Sequence, residues 1–140
     1  NKRYEYMQMN HIRDDKVFDL IYEALKRLSN GKTIYWNYGE KPEFQKMKFQ
    51  ELDNKEIKDK IRNEKEVYVI ISRPEDKPTL DPTKKAQDQA LERQIWDGKL
   101  YALMHFYDDE NVEIMGITEI KTIKWLMKEC RSRGYDVHEA

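Results

Sequence analysis

The run Val67-Tyr68-Val69-Ile70-Ile71 constrains the fold more than any other stretch of this chain. Its residues are all apolar and four are β-branched, so no polar face exists at either helical or strand period, and branching at Cβ favours the extended backbone. A segment of this kind is expected as a strand buried on both faces, at the centre of a sheet. The remaining segments must then supply flanking strands and covering helices.

Strand signals are plentiful. Leu100 to Tyr107 and Val112 to Ile117 bracket Asp108-Asp109-Glu110-Asn111 and read as a hairpin. Thr33 to Tyr38 alternates, with Ile34, Trp36 and Tyr38 on one face, and Phe44 to Phe49 follows after Gly39-Glu40-Lys41-Pro42-Glu43, giving a second hairpin with a longer loop. Residues 1–13 alternate polar side chains with Tyr4, Tyr6 and Met9 and read as an extended arm or an edge strand. Asp136-Val137-His138 reads as a further strand segment.

The helices carry start and stop signals. From Asp14 onward, Val17, Phe18, Leu20, Ile21, Ala24, Leu25 and Leu28 form one apolar stripe, with Asp14 or Asp15 as N-cap and Gly31 as terminator. A short surface helix is predicted after Asp53, with Glu56 completing a capping box, Leu52 stapled to Ile57, and only Ile57 and Ile61 as its stripe. Asp81-Pro82 opens a helix to about Trp96, closed by Gly98. Thr118 is placed to cap a last helix from Glu119 to Arg133, ended by Gly134. With 140 residues and no repeat or linker, the expectation is a single α+β domain over residues 1–140, with a mostly antiparallel sheet of about five strands and three to four helices.

Charge narrows the function classes. Net charge is −1, which fits neither an acidic decoy nor a basic nucleic-acid coat, although residues 1–65 carry 15 Lys and Arg against 12 acids and residues 66–140 carry 11 against 15. Lys outnumbers Arg 18 to 8, the bias an AT-rich gene produces, which fits many phages and low-GC bacteria. The single cysteine, Cys130, excludes an internal disulfide and points to a reducing, cytoplasmic setting. No stretch reads as a signal peptide or a membrane span. Glycine-rich phosphate loops and nucleophile-elbow serines are absent from the sequence, and no cofactor is implied.

Two surfaces stand out. In the last helix Ile120, Ile123, Leu126, Met127 and Cys130 cover one side, while Lys121, Lys124, Lys128 and Arg131 line the other with Trp125 beside them. In the first hairpin Trp36 and Tyr38 combine with Lys46 and Lys48, a pairing of aromatic faces and ammonium groups suited to unpaired bases. Each has a plainer alternative, in which the aromatic rings pack in the core and the lysines are a solvated face. A third cluster, His105 with Asp108, Asp109 and Glu110, could bind a divalent cation, although its spacing matches no established metal motif.

The first expectation is therefore a non-enzymatic binding protein, a phage or mobile-element accessory factor that regulates or inhibits a protein partner, acting as a monomer or small homo-oligomer. One alternative is a protein that binds single-stranded nucleic acid or RNA through the same nine residues. The other is a divalent-metal nuclease built on the acidic turn.

Overall fold

The computed structural model describes residues 5–12, 14–38, 43–73, 77–78, 84–108, 110–117 and 119–139, with the backbone alone for 84–88. Its strands are β1 (Glu5–Met9), β2 (Thr33–Tyr38), β3 (Gln45–Met47), β4 (Val67–Ser72), β5 (Leu100–Phe106), β6 (Val112–Gly116) and β7 (Val137–Glu139). The helices are α1 (Asp15–Ser29), α2 (Lys55–Asn63), α3 (Lys84–Trp96) and α4 (Ile120–Ser132), and a 3-10 turn spans Phe49–Asp53. All strands join one antiparallel sheet in the order β3-β2-β4-β5-β6-β1-β7.

β4 occupies the interior, as its composition requires. Every residue from Val67 to Ser72 is buried. Val67, Val69 and Ile71 join a core that also holds Phe18, Ile21 and Leu25 of α1, Ile61 of α2 and Ile123 and Leu126 of α4. Tyr68 and Ile70 point the other way, into a smaller cluster completed by Leu91 and Ile95 of α3. The sheet is thus covered by α1, α2 and α4 on one face and by α3 on the other.

The α+β class and antiparallel pairing match the sequence reading, while the described residues form seven strands rather than about five. β1 is neither an arm nor an edge: it lies between β6 and β7, with Met7 and Met9 fully buried under the helices. The edge falls instead to β7, which is only three residues long. The short helix also starts one residue later than the capping-box reading. Asn54 is the N-cap, its side chain accepting from the N–H groups of Glu56 and Ile57, because Asp53 is consumed in the 3-10 turn and pairs with Lys26. The expected caps at Asp81 and Thr118 and the loop from Gly39 to Pro42 lie outside the described residues.

Candidate functional site

The nine residues singled out in the sequence do not form one surface. Trp36 and Tyr38 sit on β2, next to one edge of the sheet, whereas α4 covers β1, β6 and β7 at the other. Neighbouring strands are about 4.8 Å apart, so the two edges of a seven-stranded sheet are separated by roughly 29 Å.

At the first edge, the aromatic rings belong to the protein interior. Trp36 is 7% exposed within the main core, and its ring centroid lies 4.8 Å from that of Tyr38. The Lys60 ammonium of α2 sits 4.3 Å over the Tyr38 ring and donates to its hydroxyl at 2.9 Å. Lys46 stands directly opposite Tyr35 in the ladder and so faces the α3 side, away from Trp36. Lys48 follows β3 and lines a groove with Lys32, Thr33 and Phe49. The stacking platform expected of the first hairpin is therefore not assembled there: both rings face the helices, Trp36 buried and Tyr38 half-buried.

At the second edge, the sequence pattern survives intact. Ile123, Leu126, Met127 and Cys130 are buried, and Lys121, Lys124, Lys128 and Arg131 are exposed along one stripe of α4. Trp125 is half-buried, with the Arg27 guanidinium of α1 3.9 Å above its ring, a cation–π lid that joins the two helices. Lys124 Nζ reaches the buried Glu5 at 3.9 Å, and Arg131 reaches the exposed Glu139 at 3.3 Å. Lys121 and Lys128 make no ion pair among the described residues.

Between α4 and the β1–β7 margin runs an open groove of about 730 Å³, lined by Glu5, Lys124, Met127, Lys128, Arg131, Ser132 and Glu139. Met127 gives it an apolar floor, and the cations and two carboxylates form its rim. Nearby, Cys130 is sealed in the core; burial pushes its thiol pKa up to about 11, which suppresses the thiolate.

Among the described residues, the acidic turn does not assemble a metal centre. His105 projects from β5 to the α3 side, stacks flat on Tyr68 at 4.0 Å, and lies 3.1 Å from Glu66 through Nε2. Asp108 is taken up by its own turn, accepting from the backbone N–H groups of Glu110 and Asn111 and from the Asn111 side chain. Burial alone would raise the Asp108 pKa, but these bonds outweigh it and hold the carboxyl below its usual value. Asp109 lies outside the described residues, and among the described residues no three His, Cys, Asp or Glu side chains could hold a metal ion.

Sequence reasoning missed a polar row on this second face. Ladder register aligns Asn37, Tyr68, His105, Glu113, Gln8 and His138 across the sheet. Gln8 donates to the Tyr107 hydroxyl at 2.6 Å, and burial together with Glu113 raises the Tyr6 pKa. Strand alternation marks these residues as sharing a face within each strand, yet only the pairing order brings them into one row.

No family model, curated protein or solved structure matches this chain. Among the described residues, no helix is long and apolar enough to cross a membrane.

Proposed function

We propose that this chain is a non-enzymatic binding protein that occupies the surface of a protein partner, docking through the cationic stripe of α4 and the groove beside it. The observation that carries this reading is the arrangement of Lys121, Lys124, Lys128 and Arg131 in one exposed row over an apolar floor at Met127. Such a row presents directional positive charge that Glu5, at Lys124, and Glu139, at Arg131, offset only in part, the usual basis of electrostatic complementarity at an interface. The half-buried Trp125 beside it supplies a rigid aromatic edge of the sort that anchors contacts.

A phosphate backbone fits this surface less well than a protein does. Glu5 and Glu139 interleave with the cations along the groove and would repel a continuous polyanion, whereas a protein surface can match mixed charge point by point. Burial of Trp36 in the core, with the half-buried Tyr38 held under Lys60, weakens the nucleic-acid reading further.

The test is capture of partners by the tagged chain from a lysate of its source cell, with and without nuclease, beside a Lys121→Glu, Lys128→Glu variant. Those two lysines make no ion pair among the described residues, so the variant is expected to keep the wild-type melting temperature. A discrete protein that survives nuclease and is lost with the variant supports the reading. Material that disappears with nuclease, or a protein retained equally by the variant, overturns it.

A further inference from the structure

The groove beside α4 ends at a strand edge that is unpaired among the described residues, and this limits the shape of what can fill it. β7 pairs with β1 through Met9–Val137, Gln8–His138 and Met7–Glu139, and among the described residues no strand takes its other side. Backbone N–H and C=O groups along such an edge are a template for one more strand. Register places Val137 and Glu139 on the same face as Met9 and Met7, beneath the helices. A strand added outside β7 would therefore turn every second side chain toward α4.

Those side chains would meet Lys124, Lys128 and Arg131, with Met127 between them. Lys124 and Lys128 are about 6 Å apart along the helix axis. Alternate residues of a strand are separated by about 6.6 Å. The two spacings are close enough for carboxylates at every second position to find successive cations. Arg131 already holds one carboxylate of this kind in Glu139, at 3.3 Å and exposed to solvent, where an incoming acid can replace it.

We propose, resting on the docking reading above, that the partner presents an extended acidic segment which adds an eighth strand to β7 and sets its alternate carboxylates on Lys124, Lys128 and Arg131. A second copy of this chain is a poor occupant. Edge-to-edge pairing of two β7 strands would bring two α4 stripes of the same sign together. An acidic helix could satisfy the cations but would leave the strand edge unpaired.

The probe is a labelled heptapeptide, Glu-Val-Glu-Val-Glu-Val-Glu, titrated into the isotope-labelled full chain and followed through backbone amide shifts. Its controls are the same peptide N-methylated on both its valines and its glutamates, so that whichever N–H groups face β7 are blocked, a Lys-for-Glu version, and a short oligothymidylate. Saturable shifts at Val137, His138 and Glu139 together with α4, weakened at least tenfold by N-methylation and by Lys128→Glu, are expected. Absence of shifts at β7 overturns strand addition, as does equal binding of the N-methylated or Lys-containing peptide, or preferential binding of the oligothymidylate. Shifts on α4 alone, indifferent to N-methylation, overturn strand addition while leaving the cationic docking surface standing. Failure of every peptide removes this inference, whereas the capture experiment decides the docking reading separately.

Discussion

At the scale of single residues, Trp36 and Trp125 illustrate how far a side chain's period can be read without its partners. Alternation placed Ile34, Trp36 and Tyr38 on one face, but alternation is identical whether that face meets water or helices. The structure covers it with helices and leaves Trp36 7% exposed. Trp36→Ala is therefore expected to remove about 3 to 5 kcal/mol of stability, a large share of the roughly 5 to 15 kcal/mol that holds a domain together. Trp125 lies off the apolar stripe of its helix because its contact, Arg27, comes from α1. Its replacement by Ala loses part of its packing and a cation–π contact of about 1 kcal/mol, so denaturant titration should rank Trp36→Ala well below Trp125→Ala in stability. The reverse order would put Trp125, not Trp36, in the core. His105 teaches the same lesson: it was grouped with Asp108 because they are close in sequence, yet its carboxylate partner, Glu66, comes from 39 residues away.

At the scale of elements, helix existence was legible while helix boundaries depended on neighbours. The stripes that predict α1 and α4 are long, and their apolar residues are buried except for Leu20 and Ile120, which are half-buried. For α2 the local signal pointed to Asp53, since Asp followed by Glu three residues later satisfies the capping-box pattern. The 3-10 turn moves the boundary, because it buries Leu52 and lets the Tyr22 hydroxyl donate to the Leu52 carbonyl at 2.6 Å. Asp53 then faces Lys26 and leaves the cap to Asn54. Asn54→Ala is expected to cost about 1 kcal/mol, as loss of an N-cap does. Asp53→Ala removes only an exposed ion pair and should cost less than about 1 kcal/mol. Thermal melts of the two variants decide the matter: a larger loss at Asp53 would return the cap to it.

At the scale of the whole molecule, period and composition identify strands but not their neighbours, because any strand with one buried face can pair with any other in register. The doubly buried run at β4 was legible as an interior strand for the reason that no polar residue interrupts it, although the middle of the sheet falls to its neighbour β5. The position of β1 was not. Its closest partner, β6, lies more than a hundred residues along the chain, and the polar side chains that alternate with Tyr4, Tyr6 and Met9 resemble an edge when read alone. The structure inserts β1 between β6 and β7, so that Met7, Gln8 and Met9 pair on both sides. Native-state hydrogen exchange separates the two arrangements, since interior strands open only with much of the fold whereas edges and arms open locally. The slowest amides are expected in β4 and β5, with those of Met7 to Met9 closer to them than to β3. Rapid exchange throughout Glu5–Met9, at the rate of a frayed terminus, would remove β1 from the interior. It would also detach β7, which among the described residues pairs with β1 alone, and with it the strand edge beside the α4 groove.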